Sequence, residues 1–135
     1  MVEIAGKYNL ESNENLDEYY KAIGVPFIPR KMMCSSRPEL TISVDEKGEW
    51  TISSSTLLRT VVITFRLGEE YNEHMPGGVT IQSVTTREGD SFVTVSTVPN
   101  GTKVIRRYDF NETHCILYLK HEESGVEAKR FYKRA

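Results

Sequence analysis

From Pro38 onward the chain alternates apolar and polar residues in short runs, each closed by turn residues. Leu40, Ile42 and Val44 share one parity before Lys47-Gly48. Trp50 and Ile52 follow, then Ser54-Ser55-Thr56, then Val61, Ile63 and Phe65 up to Gly68. A run near Glu70-Tyr71-Asn72 leads to Pro76-Gly77-Gly78; Val79, Ile81 and Ser83 lead to Glu88-Gly89-Asp90. Phe92 to Val98 ends at Asn100-Gly101, and Lys103–Tyr108, Cys115–Lys120 and Val126–Lys133 complete the series. A period of two marks strands that pack through one face, and Asn-Gly is a strong hairpin signal. With the first alternating run (Ile4, Gly6, Tyr8, Leu10) the pattern predicts roughly ten strands. Even spacing and tight turns predict an all-β, up-and-down antiparallel sheet. Such a sheet removes its edges by closing into a barrel.

One stretch breaks the pattern. Leu16, Tyr19, Tyr20 and Ile23 have helical spacing, with Asn13 or Asn15 as cap, Asp17 and Glu18 in the first turn and Gly24 as stop. A second short helix is predicted over Phe27–Cys34, with Pro26 and Pro29 at its start and Arg37-Pro38 beyond it. Lying between the first strand and all the others, this helix-turn-helix at about residues 15–36 is expected to cap one barrel mouth. A barrel of this strand number can enclose a ligand cavity.

Composition narrows the function. The 135 residues fit a single domain, 1–135, and the hydrophobic (39%) and charged (27%) contents are those of a globular protein. A net charge of −2 argues against a nucleic-acid partner. Two scattered cysteines, Cys34 and Cys115, do not make a disulfide framework, and Met1–Tyr8 lacks the apolar core of a signal peptide. A cytoplasmic, monomeric protein is expected. His74, His114 and His121 have no metal-ligand spacing, and no nucleophile, base and orienter assemble in the sequence, so neither metal, cofactor nor catalysis is expected.

The chemistry that remains is a polar streak on the strands. Arg130 and Tyr132 share a parity, as do Arg106 and Tyr108. If that parity faces inward, Arg130 needs an anion, because a guanidinium is costly to bury unpaired. Its own strand offers no same-face carboxylate, so a ligand is the candidate source. Leu57-Leu58 forms an apolar pair at a turn tip, read either as turn packing or as a portal. Met32 and Met33 read either as helix-core packing or as an adaptable underside of the helical segment.

Taken in order, several short segments resemble the intracellular lipid-binding proteins, the fatty acid-binding protein family of the calycins. They are Gly6-Lys7-Tyr8-x-Leu10, Asn15-Leu16-Asp17-Glu18-Tyr19, Gly24-Val25, Trp50-Thr51-Ile52, Ser55-Thr56, Phe65-x-Leu67-Gly68-Glu69-Glu70 and Lys129-Arg130-Phe131-Tyr132-Lys133-Arg134. The resemblance implies a ten-stranded β-clam under a helical lid, carrying a long-chain fatty acid noncovalently. Retinoic acid or a bile acid-like molecule is the alternative cargo. It implies that Arg130 and Tyr132 hold the ligand carboxylate with help from a second arginine two strands earlier. Motif spacing puts that residue at Arg106; ungapped counting, because Arg107–His114 looks long, puts it at Arg107. Lid and portal positions fall on Leu16, Tyr19, Met33, Leu57 and Leu58.

The chain also departs from the family pattern. Leu16 stands where Phe is usual. Gly77 and Val79 replace an Asp-x-Arg pair, which predicts a less polar cavity end, and Leu57 replaces a portal aromatic. Lys21, Arg30, Lys31 and Arg37 make the helical segment basic, which suits either a solvated face or transient contact with anionic membranes. Some members of the family use a similar cluster for nuclear import.

Overall fold

A computed structural model describes residues 2–75 and 79–135, excluding the side chains of Met75 and Val79. The Gly77 and Val79 departure therefore lies outside the described residues. The elements are β1 (Gly6–Glu14), α1 (Leu16–Ala22), α2 (Phe27–Ser35), β2 (Glu39–Val44), β3 (Glu49–Ser55), β4 (Thr60–Arg66), β5 (Glu70–Met75), β6 (Val79–Glu88), β7 (Ser91–Thr97), β8 (Lys103–Phe110), β9 (His114–His121) and β10 (Glu127–Arg134). All ten strands form one antiparallel sheet in the order β4-β3-β2-β1-β10-β9-β8-β7-β6-β5. Every sequential pair hydrogen-bonds except β4 and β5, and β1 closes on β10. The result is a nearly closed barrel with a seam between β4 and β5.

Alternation puts Tyr8, Leu40, Ile42, Trp50, Ile52, Phe65, Ile81, Phe92, Val104, Phe110, Leu117, Leu119 and Tyr132 inside. Far from the helices, aromatic rings plug the barrel. Phe92 meets Trp50 edge-on at 4.9 Å and Phe110 at 5.6 Å between centroids. Tyr8 and Phe65 extend that cluster. Edge-to-face contacts add to the area these rings bury. Among the described residues no such cluster fills the end beneath the helices, where the interior stays open.

Two sequence expectations shift. The first strand does not stop at Leu10; it continues to Glu14 through a bulge, where Leu10 pairs with Tyr132 but Ser12 pairs with Phe131. The extra residue, Glu11, reverses the inward parity from there on, so that Asn13 stands opposite Arg130. Asn15 does occupy the cap position of α1, but its left-handed φ of 56° turns its amide away from the helix. Nδ2 instead donates to the Glu127 carbonyl of β10 at 2.8 Å, tying the start of the lid to the last strand.

The extra length between Arg106 and Cys115 is absorbed at the end of the β8–β9 hairpin. Asn111 accepts the amides of Thr113 and His114 there at 2.8 and 2.7 Å. The ladder above it is regular, with Arg106 opposite Leu119 and Tyr108 opposite Leu117.

Candidate functional site

Arg130 and Tyr132 sit on the inward face of β10, 8% and 2% exposed. Arg130 stands across β9 Leu117 from Tyr108, and its guanidinium carbon lies 5.8 Å from the Tyr132 ring centroid. Its Nε donates to Asn13 Oδ1 at 2.9 Å, the contact that the β1 bulge makes possible. Nη2 is buried and has no hydrogen-bond partner among the described residues. Arg130 also has no carboxylate within salt-bridge distance among those residues. Asn13 thus fixes one side of the guanidinium and leaves the far side without an anion.

Arg106 is different. It faces the same interior, while Arg107 points outward to Asp109 at 2.9 Å and Glu88 at 3.8 Å. Across the barrel, Arg106 forms a forked pair with the carboxylate of Glu73 on β5: Nη1 donates to Oε2 at 3.0 Å and Nη2 to Oε1. Nη2 also reaches Ser96 Oγ at 3.1 Å, and Nε is buried without a partner among the described residues. Glu73 is 6% exposed. Burial alone would push its carboxyl up. The Arg106 charge and hydrogen bonds outweigh that, leaving the carboxyl below the ordinary range. Burial likewise opposes the Arg106 charge, and Glu73 more than restores it.

Behind the pair runs a ladder of buried hydroxyls. Ser83 meets Ser96 at 2.6 Å; Thr85 meets both Thr94 and Tyr71 at 2.7 Å. These pairs satisfy polar groups that a dry core would not hold singly. The sequence reading did not identify Glu73, Asn13 or the ladder.

The cavity lies between these groups and the lid, with a volume of about 950 Å³. That is near the top of the range for small-molecule pockets. Arg130, Tyr132, Arg106, Glu73 and Tyr108 line it, with Leu40, Ile52, Leu117 and Leu119 as apolar wall. Tyr19, Tyr20 and Met33 roof it from the helices; Leu57 and Leu58 stand at its rim, almost wholly exposed. Leu16 is buried but does not line the cavity; it belongs to the packing between lid and barrel. Burial pushes the Tyr132 and Tyr108 phenols up, so both are neutral donors at physiological pH.

A ten-stranded, nearly closed barrel with two helices finds its counterpart among known proteins. The model of the "Lipocalin / cytosolic fatty-acid binding protein family" matches residues 5–108. The chain belongs to this family. It is 35% identical to a fatty acid-binding protein of Tyrophagus putrescentiae over 99% of both chains. It is 32% identical to the sodium/calcium exchanger regulatory protein 1 of Doryteuthis pealeii over 98% of this chain and 96% of that one. A solved structure described as a REP1-NXSQ fatty acid transporter superposes with a TM-score of 0.88 at 31% identity, covering 98% and 96% of the two chains.

The basic helical cluster of this family member is partly committed to its own fold. Arg30 bonds Asp17 at 2.9 Å and the Val25 carbonyl at 3.2 Å, and Arg37 bonds the carbonyls of Leu10 and Glu11. Lys31 pairs with Asp17 at 3.2 Å but keeps 52% of its side chain exposed. Lys21 and Lys31 remain at the surface, Lys31 with its Nζ 5.5 Å from the centroid of the exposed Phe27 ring, and Ile28 and Met32 of the same helix are exposed as well. No helix among the described residues is long and apolar enough to cross a membrane.

Proposed function

We propose that the chain works as one binding unit, 1–135, that carries a long-chain fatty acid noncovalently, with helices at about 15–36 as its lid. The observation that carries this reading is the Arg130 guanidinium: buried at the cavity wall, oriented by Asn13, and with Nη2 unpartnered among the described residues. A carboxylate there would accept from Nη1 and Nη2 and from the Tyr132 hydroxyl. Charge-assisted bonds of this kind are shorter and stronger than neutral ones, and the apolar surroundings weaken screening. The tail would fill the cavity beside Leu40, Ile52, Leu117 and Leu119, gaining about 0.8 kcal/mol per buried methylene.

Arg106 contributes to the positive end of the cavity, but Glu73 neutralises most of its charge, so the principal anchor is Arg130. The names of the relatives agree with lipid carriage. Entry would pass the rim at Leu57 and Leu58. The apolar lid surface with Lys21 and Lys31 would make brief contact with anionic membranes during transfer.

The test is a calorimetric comparison of oleate with oleyl alcohol, which share a tail and differ in the head group. The acid should bind at least tenfold more tightly, and Arg130→Gln should abolish the difference. Equal affinities for the two lipids in the unmodified protein would reject the carboxylate reading.

A further inference from the structure

The lid places two tyrosines side by side under the cavity roof, with ring centroids 5.6 Å apart. Arg106 acts on both, but the strongest charged neighbour differs. Arg106 and Glu73 both act on Tyr19, and they already neutralise one another. Arg130 is the main charge acting on Tyr20. Tyr20 is 8% exposed, lines the same cavity as Arg130 and Tyr132, and belongs to α1, which packs on β10. Burial pushes its phenol up, so it is protonated and can donate at physiological pH.

We propose that Tyr20 is a ligand-binding residue carried by the lid, whose hydroxyl donates to the ligand carboxylate seated on Arg130. This rests on the fatty-acid reading above and extends it. An ionised carboxylate has about four lone-pair sites. Arg130 Nη1 and Nη2 and the Tyr132 hydroxyl supply three donors, and Tyr20 supplies the fourth. Asn13 occupies Nε, which leaves the Nη groups for the ligand. Three of the donors come from β10 and one from α1, so a bound acid ties lid to barrel. A neutral lipid of the same length would fill the cavity without making that tie. Asn15 reinforces the geometry by anchoring the start of α1 to β10 at Glu127.

The experiment pairs Tyr20→Phe with oleate and oleyl alcohol. Removing one donor to a charged group should lower oleate affinity about tenfold and leave oleyl alcohol unchanged. Hydrogen exchange supplies the second readout: oleate, but not oleyl alcohol, should slow exchange across Leu16–Ala22, and Tyr20→Phe should remove most of that protection. Tyr20→Leu, combined with Arg130→Gln, should cost no more oleate affinity than Arg130→Gln costs beyond the packing loss seen with the alcohol. An equal loss for acid and alcohol in Tyr20→Phe would mean packing only and would overturn the proposal. So would no loss at all. If the unmodified protein prefers oleate through Arg130 yet Tyr20→Phe binds oleate normally, the assignment of Tyr20 fails alone. If the unmodified protein shows no preference for the acid, the fatty-acid reading fails with it.

Discussion

Arg106 and Glu73, on β8 and β5, face each other across the barrel and form a forked ion pair inside the cavity wall. The chain therefore carries two interior arginines with different electrostatic roles. One brings its own counter-charge; the other has none among the described residues.

Glu73→Gln should separate those roles. Removing one partner of a buried pair leaves a charge uncompensated, at a cost of about 3–5 kcal/mol. Urea unfolding of the empty protein should show a loss of that order. The freed Arg106 should at the same time raise oleate affinity, so saturating oleate should recover part of the stability. Lower stability with lower oleate affinity would show that Glu73 supports the site instead of competing with the ligand.

The same pair predicts an acid limb. The Glu73 carboxyl sits below its ordinary value of 4.5 in the folded protein. A depressed folded value means that the unfolded chain takes up the proton first as pH falls. The stability from this group is thus complete above about 4.5, begins to fall there, and is gone once pH passes below the folded value. The unfolding free-energy difference between the unmodified protein and Glu73→Gln should be flat from pH 8 to 5 and shrink below that. A difference that shrinks on the alkaline side would contradict the assignment.

Arg130→Gln should lower oleate affinity by about 1.5–3 kcal/mol, the scale of a hydrogen bond to a charged group. Arg107→Gln should leave it unchanged, because Arg107 faces outward to Asp109 and Glu88. Titration calorimetry on the two variants gives the comparison directly.

How much of this the sequence disclosed depends on parity. The Val104, Arg106, Tyr108 alternation favoured Arg106 while ungapped counting left Arg107 open; in the regular β8–β9 ladder Arg106 is the one that lines the cavity. Alternation failed where a bulge intervenes. Glu11 reverses the parity of β1, so Asn13 read as a helix cap when its side chain holds Arg130. Glu73 was missed for another reason. The sequence marks a run only near Glu70-Tyr71-Asn72, although Tyr71 and Glu73 share one parity. The meeting of β5 with β8 across the interior is a property of closure, which no local pattern encodes. The helical segment was legible as two short helices from its spacing and prolines, yet the commitment of Arg30 and Arg37 to Asp17 and to backbone carbonyls was not.

Asn13 gives a sharper test of the bulge. Asn13→Ala frees Arg130 Nε and should lower oleate affinity severalfold by loosening the guanidinium. Asn13→Asp keeps an acceptor at that position but adds a counter-charge. It should therefore lower oleate affinity more than alanine does, while binding oleyl alcohol normally. Equal behaviour of the two variants in fluorescence displacement would reduce Asn13 to a packing role.

The rim predicts a kinetic effect. Leu57→Ser with Leu58→Ser should slow transfer of a fluorescent fatty acid to anionic vesicles and leave equilibrium affinity within about twofold, since both side chains are exposed at the cavity mouth. Lys21→Gln with Lys31→Gln should weaken the dependence on anionic lipid. Unchanged transfer in both variants would argue against entry at this rim.

The central claim is that an ionised carboxylate sits on Arg130. Carbon-13 NMR of carboxyl-labelled oleate bound to the protein reads that group directly as a function of pH. One bound resonance should stay ionised to well below about 4.3, the ordinary value of a glutamate side-chain carboxyl, and should titrate higher in Arg130→Gln. A bound carboxyl that protonates at or above the ordinary value in the unmodified protein would contradict that claim.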